Sequence, residues 1–378
     1  MLGSDQIAAF RETKCRAAPP PLPIIRHPLN IPENAPDARG THRARHPRLA
    51  RQLRVVRHPG IVTPDDRGHV GRFAPSPTGP LHAGSLASAL ASYLDARAHD
   101  GRWLLRIEDL DPPREVPGAA SAIIDVLGRL GFAHDGDIEF QSRRSAHYER
   151  AFDALHASGR IYACSCSRRE IIQALSLAGR PHRTDEDPVY PGTCRADHAA
   201  GRVARAWRVR VDDACIDWQD RNGTVHCEHL ATEAGDFVLR RADGLWAYQL
   251  AVVVDDADQG VTHVVRGADL LRSTSRQIFL QRALGLPTPR YLHVPVVTDP
   301  QGRKLSKQTG ATALDLSDPL AELNRALVHL GLSPVAAPTL SRFWPQAIER
   351  WSRSAWMRSD LPGAAQQRSQ GAGGATGP

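Results

Sequence analysis

The sequence predicts an α/β fold, and four stretches carry that expectation. Residues 71–85, GRFAPSPTGPLHAGS, follow a β-prone lead-in (69–74) and open into an apolar segment with helical spacing, so they read strand, loop, helix. Residues 102–109, RWLLRIED, form a second strand that ends in acids. Farther on, the apolar runs 251–256 and 261–269 read as strands that resume the same sheet, the second tipped by Arg266 and Asp269. Ligands of open α/β sheets gather at the carboxyl ends of strands, so Glu108 and Arg266 stand where a ligand would meet them.

Composition bounds the rest. At 378 residues the length suggests two or three domains. The chain has no apolar run of transmembrane length and no signal-peptide core, so a cytoplasmic protein without membrane contact is expected. The net charge is +7, but residues 1–70 hold twelve Lys and Arg against six Asp and Glu, which leaves the remainder close to neutral. Total charge is therefore a poor argument for nucleic-acid binding here. Residues 1–68, rich in Pro, Arg and His without hydrophobic period, are expected to be a disordered basic extension.

In the first loop Pro75, Pro77 and Pro80 hold one shape, and Gly79 and Gly84 allow close backbone approach to a ligand. Backbone N–H groups at the start of the following helix, 84–98, suit a phosphate, and His82 adds a donor. Gly101 breaks the chain before the second strand, and helical patterns follow at 118–130 and 143–158, around a turn at 135–137. A strand-like segment at 160–163 leads into Cys164-Ser165-Cys166, and a polar loop leads to Tyr190-Pro-Gly-Thr-Cys194. Three thiols so grouped suit one tetrahedral zinc ion, with His182, His198 and Tyr190 as candidates for the fourth ligand. Cys215 and Cys227, far apart in sequence, are expected to be buried small hydrophobes. Strand-like segments at 206–211 and 224–229 suggest a mostly antiparallel insertion facing RNA, and a hairpin turn is expected at 242–244. A helix at 273–284, a strand at 291–297, a Gly-led loop carrying Lys304 and Lys307, and helical segments at 320–330 and 340–351 complete the pattern. The expected organisation is catalytic halves at 69–160 and 236–312, an insertion at 161–235, a small helical appendage at 313–361 and a disordered tail at 362–378.

PSPTGPLHAGS resembles the HIGH signature of class I aminoacyl-tRNA synthetases, in the form carried by the glutamyl and glutaminyl branch. Ser85 stands where the second His is expected, so a neutral hydroxyl replaces an imidazole. RIEDLDPPREVPGAA resembles the same branch, and Lys304-Leu305-Ser306-Lys307-Gln308 resembles its KMSKS signature, departing at Leu305 and Gln308. The resemblance spans residues 71–310. It implies a Rossmann-like parallel sheet with an inserted zinc-binding subdomain, and activation of glutamate by ATP with Mg2+. It assigns catalysis to His82, Lys304 and Lys307, and ATP binding to His82, Gly84, Ser85 and Lys307. Glutamate falls to Arg72, Phe73, Ala74, Pro75, Ser76, Glu108, Tyr248 and Arg266, with the two arginines facing carboxylates and Glu108 the ammonium.

Within the branch, Cys-x-Cys followed by Tyr-x-x-x-Cys is similar to the glutamyl-queuosine tRNA(Asp) synthetases, which implies Cys164, Cys166, Tyr190 and Cys194 as the zinc ligands. Residues 308–378 offer little for a domain that reads an anticodon while the acceptor end is charged. The expected acceptor is therefore queuosine in the anticodon loop of tRNA(Asp), and the expected state a monomer. The competing expectations are an ordinary glutamyl-tRNA synthetase charging tRNA(Glu), and a silent RNA-binding paralogue in which Ser85 marks decay of the site. A nucleotidyltransferase would need neither the second lysine loop nor the zinc insertion.

Overall fold

A computed structural model describes residues 68–180, 188–196, 202–298 and 313–358. The readings made above for residues 1–67 and 362–378, for His182 and His198, and for the Lys304 and Lys307 loop lie outside the described residues.

The chain opens with β1 (Val70–Phe73), buried along its whole length, and α1 (Ala83–Ala98). Helix α1 is buried nearly all round, and its many alanines let it lie close against the sheet. Strand β2 (Arg102–Ile107) returns parallel to β1, with Gly71 opposite Trp103. Gly101 makes that return possible, since a Cβ there would stand 2.4 Å from the His69 carbonyl oxygen. Next come α2 (Ala119–Arg129), β3 (Glu139–Phe140) parallel to β2, and α3 (Ser145–Ala157).

The insertion holds β4 (Ile161–Cys164), α4 (Arg168–Leu177), β5 (Ala206–Val209), β6 (Cys215–Gln219), β7 (Val225–His229), the short α5 (Leu230–Glu233) and β8 (Val238–Arg240). Its ladders, β4–β5–β8 and β6–β7, are antiparallel as expected. Helix α4 begins with a reciprocal capping box between Ser167 and Glu170.

The main sheet then resumes through α6 (Tyr248–Asp258), β9 (His263–Gly267), α7 (Leu271–Leu284) and β10 (Arg290–Val294), parallel to β9. Helices α8 (Pro319–His329) and α9 (Leu340–Ser352) follow. One expectation fails here: residues 251–256 are not a strand but the middle of α6. Leu250 through Asp256 are buried without interruption, so no polar face exposes the helical period, and three consecutive valines favour a strand locally.

Strand β9 sits beside β1, where the Thr262 N–H donates to the Val70 carbonyl at 3.0 Å and the Thr262 hydroxyl accepts from the Val70 N–H at 2.8 Å. The parallel strands thus run in the order β3–β2–β1–β9–β10. Alternation along them feeds two helical layers. Trp103, Leu105, Ile107, Val265 and Leu292 face a core shared with α1, α2, α8 and α9, which contribute Leu90, Ile123, Leu327 and Phe343. Val70, Leu104, Val264 and Tyr291 face the opposite core, filled by Tyr148, Leu250, Val252 and Ile278 from α3, α6 and α7. Among the described residues no helix is long and apolar enough to cross a membrane.

Candidate active site and cysteine centre

The strand order reverses between β2 and β9 around β1, and a crevice at such a point lies beyond the carboxyl ends of the strands. A cavity of about 700 Å3 occupies it. Its wall brings together Arg72, Phe73, Ala74, Pro75, Ser76, His82, Gly84, Ser85, Glu108, Tyr248 and Arg266, which are all the described residues that the resemblance assigned to glutamate or ATP.

On the α1 side the rim is His82. Its extended backbone places it as the helix N-cap, and its Nδ1 accepts from the N–H groups of Gly84 (3.1 Å) and Ser85 (3.4 Å). Those N–H groups therefore turn to the imidazole rather than outward, which departs from the expectation of an open phosphate cradle. A ring that accepts at Nδ1 carries its proton on Nε2, which lies 3.1 Å from Ser85 Oγ. The Ser85 oxygen accepts the hydrogen bond from Nε2–H and keeps its own hydroxyl hydrogen for another acceptor.

The floor is built from charge. Arg72, Arg106 and Glu108 occupy even positions of β1 and β2 and its end, so all three point toward α6. Arg72 donates to Asp256 through Nε (3.2 Å) and Nη2 (3.4 Å). Arg106, fully buried, donates through Nη2 to Asp256 (2.8 Å) and Glu108 (3.3 Å), and through Nη1 to Gln259 (2.5 Å). Burial pushes the Glu108 carboxyl up to about 7 against the pull of Arg106 and Arg72. Asp256 is just as buried, but the same two guanidiniums overcome the burial penalty and hold it below the ordinary carboxylate range.

On the β9 side Arg266 is cross-strand neighbour to His293. It donates to His293 Nε2 (3.1 Å), Gln277 Oε1 (2.8 Å), Thr274 Oγ1 (2.7 Å) and the Leu270 carbonyl (3.4 Å). Since His293 accepts at Nε2, its proton is on Nδ1, 2.6 Å from Asp220 of the insertion. Arg266 lines the cavity with its fork committed to protein acceptors at each nitrogen.

Sequence reasoning passed over Arg106, Asp256, Thr274, Gln277, His293 and Asp220. One signal for the acids was present. Two adjacent aspartates close an apolar run, and on a helix both reach the sheet side, whereas on a strand they would face opposite ways. Asp255 indeed accepts from Tyr148 (2.8 Å), Gln141 (2.7 Å) and Arg144 (2.6 Å), while Asp256 holds the floor.

The insertion gathers Cys164, Cys166 and Cys194 with their sulfurs within 4.8 Å of one another. Cys166 and Cys194 are 3.6 Å apart, close to the ~3.7 Å edge of a tetrahedron with 2.3 Å metal–sulfur bonds. The Tyr190 hydroxyl lies 3.4 Å from Cys164 Sγ and 3.5 Å from Cys166 Sγ, and the Arg208 guanidinium sits 4.0 Å over its ring. Burial opposes ionisation of Cys194, but hydrogen bonds led by Tyr190 draw its thiol down to about 6; burial pushes Cys166 up to about 11. A cation among the three sulfurs would favour their ionised form. The donor set fits a structural zinc ion.

Cys215 and Cys227 correct the expectation made for them: they are exposed, and their sulfurs are 3.5 Å apart. A tight turn from Asp220 to Thr224 folds β7 back on β6, and both cysteines fall on the outward face of the alternation.

Residues 70–340 match the family described as tRNA synthetases class I (E and Q), catalytic domain. The chain is 58% identical over 292 residues to a Glutamyl-Q tRNA(Asp) synthetase of Burkholderia cenocepacia, covering 76% of this chain and 97% of that one. It is 58% identical over 311 residues to a Glutamyl-Q tRNA(Asp) synthetase of Bordetella bronchiseptica, covering 82% and 97%. Among solved structures it resembles a glutamate-tRNA synthetase from Elizabethkingia anophelis, with TM-score 0.63 and 25% identity over 75% of this chain and 66% of that chain.

Proposed function

The chain belongs to the class I tRNA synthetases of the E and Q type, and from that premise we propose that it activates glutamate with ATP, without RNA, and transfers the glutamyl group to queuosine at the wobble position of tRNA(Asp). The observation that carries the first half is one cavity lined by two buried guanidiniums, Arg72 and Arg266, and one buried acid, Glu108. A dicarboxylic amino acid needs that combination: cations for its carboxylates and an anion for its ammonium.

In the first step a glutamate carboxylate oxygen attacks the α-phosphorus of ATP, and pyrophosphate leaves. Negative charge accumulates on the phosphates, so positioned donors do most of the catalysis. On the cavity rim the Ser85 hydroxyl is a donor as it stands, while His82 Nε2 and the N–H groups of Gly84 and Ser85 become donors to phosphate only when the His82 cap opens, and the reading adds Lys304, Lys307 and the Mg2+ that accompanies ATP. An arriving ammonium favours the ionised form of Glu108, which burial otherwise opposes. In the second step a hydroxyl of the queuosine cyclopentene diol attacks the acyl carbon, and AMP leaves.

The acceptor half rests on the relatives, which match this chain over nearly their whole length and carry that substrate in their names. Cys164, Cys166, Tyr190 and Cys194 hold one zinc ion in this reading, which would brace the insertion and take no part in the chemistry. The same reading puts the protein in the cytoplasm beside its tRNA, working as a monomer.

The test is transfer of radiolabelled glutamate. Label should pass to queuosine-containing tRNA(Asp), survive periodate oxidation of the 3′ end if the diol was charged first, and be absent from tRNA lacking queuosine. Efficient charging of unmodified tRNA(Glu) at its terminal adenosine would overturn the assignment in favour of an ordinary glutamyl-tRNA synthetase.

A further inference from the structure

We infer that the outward face of the β6–β7 ribbon is a second metal site, where Cys215, Cys227 and His229, with Asp217 as fourth donor, take a zinc(II) ion. The ladder pairs Cys215 with His229 and Asp217 with Cys227, so the four side chains form two adjacent cross-strand rows on one face. Exposure alternates along both strands and puts all four residues outside, with Ile216 and Trp218 turned inward. The inner face is anchored, since Trp218 Nε1 donates to Ser275 of α7 (3.2 Å) and its ring stacks on His226 at 4.3 Å.

The distances suit coordination. Cys215 Sγ lies 3.5 Å from Cys227 Sγ, 3.9 Å from His229 Nε2 and 3.8 Å from Asp217 Oδ1. Sulfur, nitrogen and sulfur all fall within 4.8 Å of one another. A tetrahedral ion with bonds of ~2.0–2.3 Å requires ligand separations of roughly 3.3–3.8 Å, so small side-chain rotations bring in the two sulfurs and the imidazole, and a larger swing of Asp217, which already touches Cys215, completes the set. Two thiols and an imidazole with a carboxylate are a borderline-soft set that selects zinc over magnesium or calcium. A disulfide fits the ladder less well. The two cysteines are diagonal rather than directly opposite, and diagonal Cβ atoms stand farther apart than the ~3.8 Å that a disulfide takes, whereas a metal bridges the longer span. No ligand is shared with the Cys164 cluster, so this site stands or falls independently of that one.

The experiment is zinc and cobalt(II) binding by the full chain under a non-thiol reductant, comparing wild type with Cys215→Ser/Cys227→Ser. Both positions are exposed, and an unchanged thermal transition of the metal-stripped proteins would verify that the variant folds. The double variant should bind one equivalent fewer, with a matching loss of sulfur-to-cobalt charge-transfer absorbance, and His229→Gln should weaken the affinity of that equivalent by about tenfold or more. Equal metal content in the two proteins would overturn the site. So would a Cys215–Cys227 disulfide, detected by peptide mass, that forms at the same rate with and without saturating zinc.

Discussion

The floor and the rim of the cavity are built on opposite plans. The floor is a buried set of charges: Arg72, Arg106, Glu108 and Asp256 come from two strands and a helix far apart in sequence, and both guanidiniums share the Asp256 carboxylate. The rim is local. His82, Gly84 and Ser85 bond within four residues of chain, half in solvent, and their donors face each other. A rigid floor suits recognition of a small charged molecule, because its electrostatics cost little reorganisation when the molecule arrives. A rim that caps itself suits a ligand that must enter and leave, because only a few weak bonds have to open.

That contrast breaks most visibly at Asp256. Asp256→Ala leaves two buried guanidiniums without their shared carboxylate, and stability should fall by roughly 3–5 kcal/mol, read as a lower urea midpoint with an unchanged slope. A loss under 1 kcal/mol would mean that the floor is not held by that carboxylate. The next largest effect belongs to the expected phosphate side: Lys307→Ala should lower glutamate-dependent pyrophosphate exchange by roughly 3–4 kcal/mol in transition-state terms, with no change in thermal stability. Wild-type exchange rates in that variant would remove the KLSK loop from the mechanism.

Glu108 sharpens the comparison through pH. Its carboxyl is raised to about 7, so the ionised form that receives an ammonium is gained as pH rises through that value. The apparent affinity for glutamate should therefore climb about tenfold per unit below pH 7 and level off above it, and Glu108→Gln should flatten the profile. The sign for folding is opposite. A carboxyl raised in the fold binds its proton more tightly there than in the unfolded chain, so its contribution to stability falls as pH rises from about 4.5 toward 7. The smallest effect is expected at the rim, where Ser85→Ala removes one neutral bond and should reduce exchange less than tenfold. A collapse of activity would make Ser85 an indispensable replacement for the missing imidazole.

Legibility in the sequence followed the same divide. The strand–loop–helix at the rim was readable because prolines, glycines and a change of period mark it within fifteen residues, and the acid-tipped β2 was readable from its apolar run. The floor was half hidden. Arg72 and Glu108 sit in recognisable stretches, but Asp256 lies on α6, whose even burial erased the helical signal, and Arg106 is an arginine inside a strand whose partner was assigned to the wrong element. Cys215 and Cys227 were misread because separation along the chain is no measure of distance once a five-residue turn pairs two strands. The capping box of α4 went unread although Ser167 and Glu170 carry its signature three residues apart.

Asp220 and Arg221, at the tip between β6 and β7, reach back into the main body. Asp220 fixes His293, the acceptor of Arg266, and Arg221 forms a two-pronged pair with Asp95 of α1 at 2.7 and 3.0 Å. The insertion is thus not a portable cassette. Exchanging it for the corresponding segment of another synthetase would also unmoor Arg266 in the cavity wall unless this two-residue tip stayed unchanged with the host. A chimaera designed around that constraint should keep residues 220 and 221 with the sheet they serve, and vary only the strands beyond them.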